Sequence, residues 1–257
     1  MRAKFFELSA HQVRVRHPRV PIVKRLLHLL VTFSSYDEEM KKFVAEFIGT
    51  STLATVVVGS GIMAQNLSAD IGLQLLINAS ATGAILWLLI NLFGPISGAH
   101  FNPVVTALSL YRRELKNKVA VTYMVLQTLG AISGTIVANI LFSHPAIDIS
   151  GKNRDGGNLL LSEVLATAGL IFVIFQLSTI KKGKFVSVGV ALWIFSAYFF
   201  TSSTSFANPA IAIGRIFSNS FAGIAPHSAF TFIPFQIIGA ILGYALFAYL
   251  NKKEVKK

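Results

Sequence analysis

Six apolar segments limit what this chain can fold into. They cover roughly 43–63, 73–93, 119–142, 159–180, 185–200 and 229–250. A helix needs ~20 residues to cross the ~30 Å hydrocarbon layer of a bilayer, and all but the fifth have that length. The fifth must borrow flanking residues. Hydrophobic residues make up 53% of the 257 and charged residues only 13%, with a mean hydropathy of +0.63. That is too apolar for a soluble domain of this size. The expected fold class is an all-α membrane protein with six transmembrane helices.

The formal charge of +12 would suit nucleic acid if it formed a patch, but its distribution excludes that partner. Of 23 Lys and Arg, 20 lie in residues 1–42, 112–118, 181–184 and 252–257, all on one side of the alternating spans. Only Lys152, Arg154 and Arg215 fall on the other side. An excess of basic residues marks the cytoplasmic face, which places both termini in the cytoplasm of a multi-pass protein in the cell's inner (plasma) membrane. Residues 1–41 form a basic extension containing one amphipathic stretch, "VPIVKRLLHLLVTF". It reads either as a helix lying on anionic lipid or as a mobile cytoplasmic segment. Residues 253–257 are a basic tail.

An internal repeat organises the rest. "QTLGAISG" from Gln127 recurs as "QIIGAILG" from Gln236, at an offset of 109. "AHFNPVV" and "FANPAIA" recur at 106, and Glu46 matches Glu163 at 117. Paired features in the same order divide the chain into halves at about 42–142 and 159–250. Three spans per half is an odd number, so the halves are inverted. Inverted repeats with interrupted helices put a binding or permeation site at the midplane. Gly130, Gly134, Gly239 and Gly243 read as close-packing positions between helices.

The Asn-Pro pairs are the interruptions. Pro103 and Pro209 suit the first turn of a helix, where a missing N–H costs nothing, and Asn102 and Asn208 suit the N-cap before it. Ten residues from Pro103 to Arg112 span ~15 Å, half a bilayer. Each pair therefore starts a half-helix behind a loop, "GPISGAH" or "TSSTS". Such backbone survives at membrane depth only when buried in protein or facing a water-filled path. Two half-helices meeting at their N-termini would present positive dipole ends and two Asn amides to a passing oxygen, and would repel cations and protons.

"SGAHFNPVV", "FANPAIA", the "AEFIGT" opening of the first span and the repeated Gln-x-x-Gly-Ala motif together resemble the aquaporin and aquaglyceroporin family. The resemblance covers about residues 40–250, so residues 42–252 are expected to form the channel. It implies a homotetramer with one pore per subunit, passing water and small uncharged solutes across the lipid bilayer. Two motifs, Asn102-Pro103-Val104 and Asn208-Pro209-Ala210, would face that pore. Glu46 and Glu163 would brace the loop backbones; read without the resemblance, they would also serve as interfacial helix caps. His100 would line the cytoplasmic half through its backbone carbonyl. No second ligand accompanies it and there is no Cys, so no metal and no cofactor are expected.

The departures from the family pattern bear on selectivity. The residue directly after the second Asn-Pro-Ala is Arg in most members and Ile211 here. Counting without gaps puts the other filter positions at Thr82, Ser205 and Ser196, none aromatic. Arg215, one turn beyond Ile211, either charges the outer mouth or snorkels to lipid headgroups. An Arg-less version resembles the bacterial branch associated with arsenic resistance. That branch implies metalloid permeation, of neutral arsenicals such as arsenous acid, beside water and glycerol-like polyols. The alternatives are an ion-coupled transporter with broken helices, which would need an intramembrane carboxylate for coupling, or a water-only channel. An enzyme is not expected: no nucleophilic Cys, His–carboxylate pair or phosphate loop is visible.

Overall fold

The computed structural model describes residues 20–179 and 183–252, with side chains from residue 37 onward except at 184. The expectations for residues 1–19, for the side chains of the amphipathic stretch and for the tail 253–257 lie outside the described residues. The chain divides into two compact units, Met1–Glu38 and Glu39–Lys257.

Among the described residues every regular element is helical. Long helices are α1 (Val20–Leu67), α2 (Ile71–Ser97), α4 (Asn117–Leu141), α5 (Gly157–Thr179) and α8 (Pro226–Leu250). Each is long and apolar enough to cross a membrane, α1 over Asp37–Leu67. The sixth span, α6 (Val186–Phe200), has only 15 residues. At 1.5 Å per residue it covers ~22 Å, and the 3-10 turn Gly183–Phe185 extends it at its N-terminal end. Two short helices, α3 (Pro103–Tyr111) and α7 (Pro209–Gly214), follow the Asn-Pro pairs. The second differs from a full half-helix. It has six residues and then tightens into the 3-10 turn Arg215–Phe217, just after Gly214 meets the Ala131 carbonyl.

Local signals explain the helix ends. The Asp70 carboxylate accepts the Leu73 N–H at 2.7 Å, capping α2 at its start. Gly98, at φ 90°, turns the chain into the left-handed region and donates its N–H to the Gly94 carbonyl, which stops the helix.

The inverted repeat is physical as well as textual. Gly130 and Gly134 of α4 sit on the backbone of Phe47 and Ser51 in α1. Gly239 and Gly243 of α8 sit on Val164 and Ala168 in α5. Both pairs of contacts keep the offsets of 109 and 117 read from the sequence. With lipid outside, close backbone approach gives helices the dispersion contact that a hydrophobic driving force would supply in water. A Cβ at Gly243 would fall on the Ala168 carbonyl oxygen, and backbone has no room to give.

Gly243→Val should therefore cost about 1–3 kcal/mol by overpacking. It should lower the unfolding temperature of the detergent-solubilised protein. Gly94→Ala, at a helical position with nothing within 4 Å of the added methyl, should leave that temperature unchanged or raise it.

Candidate functional site

Two stretches of non-helical backbone precede the short helices, and both adopt the same unusual conformation. Gly98, Ala99 and Phe101 have φ of 90°, 50° and 49°. Thr204, Ser205 and Ala207, each 106 residues later, have φ of 62°, 52° and 48°. A left-handed residue with a side chain costs ~1 kcal/mol or more, so these loops persist only because their surroundings determine them.

Two fully buried carboxylates supply that determination. Glu46 of α1 accepts the N–H groups of His100 and Phe101 at 3.0 and 2.8 Å, the Ser97 hydroxyl at 2.6 Å and the Gln127 amide at 2.7 Å. Glu163 of α5 accepts the N–H groups of Phe206 and Ala207, both at 2.9 Å, and the Gln236 amide at 2.7 Å. A carboxylate is an acceptor with room for about four such bonds, so it suits a turn whose donors have no helical partner. The two glutamines open the repeated motif in which the sequence pointed only to glycines.

The Asn side chains then tie the two loops together. Asn102 Oδ1 accepts the Val104 N–H, and Asn208 Oδ1 accepts those of Ala210 and Ile211, capping α3 and α7. Each amide also reaches across: Asn102 Nδ2 donates to the Ala207 carbonyl and Asn208 Nδ2 to the Phe101 carbonyl, both at 2.8 Å. An amide has two hydrogens, so each Asn keeps one for another partner.

One cavity of about 350 Å³ runs past this crossing. Arg112, Ser178 and Val186 line one end, His100, Asn102 and Asn208 the middle, and Thr82, Tyr198, Ser205, Ile211 and Arg215 the other end. Val105 lines it too, while Pro103, Val104, Pro209 and Ala210 hold the helix starts behind it. The opposite wall is apolar, with Leu53, Leu86, Leu170 and Ile194. The His100 ring bonds the Thr106 hydroxyl at 3.0 Å and stands edge-on to Tyr123.

Three expectations about the outer end change. Ser196 is exposed on the outer face of α6, beside Leu192 and Phe172. The cavity instead meets Val190, Ile194 and Tyr198, four residues apart along one helical face; Ser196 lies half a turn away. An aromatic side chain therefore stands where none was expected, with the Tyr198 hydroxyl 3.2 Å from Thr82 Oγ1. Arg215 does not snorkel to lipid: it is 2% exposed, its guanidinium lies 3.6 Å from the centre of the Phe206 ring, and its Nε donates to the Ala222 carbonyl. The 3-10 turn at its position redirects the side chain inward.

Arg154 and Lys152, from the segment between α4 and α5, join Arg215 there. The Arg154 guanidinium lies 5.0 Å from the centre of the Phe206 ring, and its Nε donates to the Gly223 carbonyl at 3.0 Å. Lys152 donates to the Phe221 carbonyl at 2.9 Å. Lys152 keeps an exposed side chain, but partial desolvation first, and the charges of Arg154 and Arg215 second, hold its ammonium down at about 8. Burial likewise holds Arg154 down at about 10.

The sequence matches the family model described as Major intrinsic protein over residues 33–206. It is 43% identical over 210 residues to "Aquaglyceroporin AqpS" of Rhizobium meliloti, covering 82% of this chain and 90% of that protein. It is 28% identical to "Glycerol uptake facilitator protein-like 6" of Lactiplantibacillus plantarum, covering 79% and 94%. Mouse "Aquaporin-4" is also 28% identical, with 84% and 69% covered. The fold matches the X-ray structure of the aquaglyceroporin from Plasmodium falciparum with a TM-score of 0.63 at 22% identity, covering 84% of this chain and 96% of that one.

Glu163→Gln should be costly despite its equal size. The new amide NH₂ would face at least one N–H that now finds an acceptor, and losing bonds to a buried charge costs about 1.5–3 kcal/mol. The expected result is a lower unfolding temperature and a loss of solute flux per folded protein. Ser196→Ala, on the exposed face, should change neither.

Proposed function

The chain belongs to the major intrinsic protein family, and on that premise we propose how its cavity selects solutes. The protein is a multi-pass membrane channel and not an enzyme. We assign it water and small uncharged polyols of the glycerol type. The observation that carries this reading is the crossed pair Asn102 and Asn208 at the middle of a cavity with one polar and one apolar wall. A polyol has one edge of hydroxyls and one edge of carbon. Its hydroxyl oxygens meet the remaining Asn amide hydrogens while its carbon edge slides along Leu53, Leu86 and Leu170. Water takes the same donors.

The two intramembrane carboxylates speak against ion coupling. The hydrogen bonds of Glu46 and Glu163 go to loop N–H groups, a hydroxyl and the glutamines, so neither is free to carry a coupling ion. Flux is therefore downhill.

In this reading Thr82, Tyr198, Ser205 and Ile211 form the outer filter. Ile211, 4% exposed at the cavity wall, replaces a guanidinium with a side chain that brings neither charge nor donors. The consequence is passage of solutes bulkier than water, with neutral metalloid hydroxides such as arsenous acid in range because they match a small polyol in size and charge. We further assign a homotetramer in the plasma membrane with cytoplasmic termini, on the charge asymmetry of the loops and the exposed apolar helix faces.

Ile211→Arg tests the filter. Glycerol and arsenous acid permeability should fall about tenfold relative to water, an added barrier of about 1.4 kcal/mol. The measurement is the ratio of solute to water permeability by stopped-flow light scattering on proteoliposomes. An unchanged ratio in a folded variant would remove Ile211 from the filter.

A further inference from the structure

Only three of the chain's 23 Lys and Arg lie on the face opposite the basic one, against the usual charge bias. All three converge on one short segment, 221–223, and Arg215 among them lines the outer end of the cavity. Carbonyls of three consecutive residues, Phe221, Ala222 and Gly223, each take an N–H: from Lys152 and Arg154, from Arg215, and from Arg154. Among the described residues none of the three cations forms an ion pair. Asp155 pairs with His227 and Ser228; Glu163 bonds only neutral groups, the loop backbone and Gln236, so its single charge is the one that acts on Arg154 and Arg215, against three cations. The Phe206 ring, whose centre lies 3.6 Å from Arg215 and 5.0 Å from Arg154, offers both its quadrupole but no counter-charge.

A guanidinium 2% exposed and outside any ion pair is expensive, and the cations beside it exceed what the single Glu163 charge offsets. Neutral carbonyls satisfy some N–H groups and leave the net charge. A bound anion would balance the charge that remains. We propose that Lys152, Arg154 and Arg215 form a binding site for a small oxyanion, of the carboxylate, sulfonate or deprotonated oxyacid class, at the outer entrance of the cavity. The proposal rests on the cavity being the solute path. Oxygen anions match the N–H edges that guanidinium groups present. An occupied site narrows the entrance, so the bound anion competes with neutral solute. Arg215 is too deeply enclosed for the phosphate of a bilayer lipid, so the occupant is a soluble ion.

The probe is methanesulfonate, which stays ionised and does not cross lipid. Glycerol and water permeabilities are measured in phosphatidylcholine proteoliposomes with rising external sodium methanesulfonate, each variant normalised to its own anion-free value. The expected result is saturable inhibition to about half or less in the wild type, unchanged when choline replaces sodium. Inhibition should vanish in Lys152→Gln/Arg154→Gln and persist in the charge-keeping Lys152→Arg/Arg154→Lys. Equal inhibition in all three proteins, or none in the wild type, would overturn the site. Loss of the effect when phosphatidylglycerol is included would assign it to lipid headgroups instead and overturn the soluble occupant. Water flux without glycerol flux would fail the solute reading alone, because the anion effect is still read on water.

Discussion

A peptide N–H left unpaired in hydrocarbon costs several kcal/mol, and this fold places two irregular loops among its membrane-crossing helices. Glu46 and Glu163 resolve that conflict. Burying a carboxylate is itself costly, but each one meets a concentrated set of donors: two adjacent loop N–H groups and a glutamine amide, with the Ser97 hydroxyl in addition at Glu46. The loops in turn are held in left-handed backbone that few side chains adopt unaided. Without the carboxylates, the positions of Asn102 and Asn208, the crossing of the loops and the shape of the cavity would have no support.

The two halves share this backbone but differ in the side chains around it. In the first half, His100 stands edge-on to Tyr123 and joins a polar chain through Thr106 and Gln127 to Glu46. In the second half, Phe206 stands edge-on to Phe232 at the corresponding positions, with Ala212 in place of Thr106. Phe206 offers arginines a face where His100 offers a hydrogen bond. One architecture, used twice, thus acquires a hydrogen-bonding polar chain beside His100 and a cationic cluster beside Phe206. In the proposed reading the first positions a solute and the second sorts what enters.

Much of this was written in the sequence because it rests on short-range chemistry. Asn before Pro is a local start signal for a helix, and a Gln-x-x-Gly-Ala repeat marks matched helix contacts. The filter was less legible. Thr82, Ser205 and Ile211 line the cavity as counted, since each is close to a fixed point in its own segment. Ser196 was placed by counting back across the 201–207 loop, and two residues of difference rotate a helix by half a turn. Four-residue spacing of Val190, Ile194 and Tyr198 was visible but carried no sign of which face looked inward. Arg154 gave no local signal at all; only the fold brings its segment to Phe206 and the 221–223 carbonyls.

The central claim is that two capped, crossed asparagines in a supported gap pass neutral molecules and exclude charge. It is tested most directly by recording shrinkage and internal pH together in proteoliposomes of the unaltered protein under an osmotic and a proton gradient. The account predicts fast water and glycerol movement with a low activation energy, proportional to protein content and indifferent to the proton gradient, with no protein-dependent proton leak. Proton flux that scales with protein content, or glycerol movement that follows the proton gradient, would contradict it.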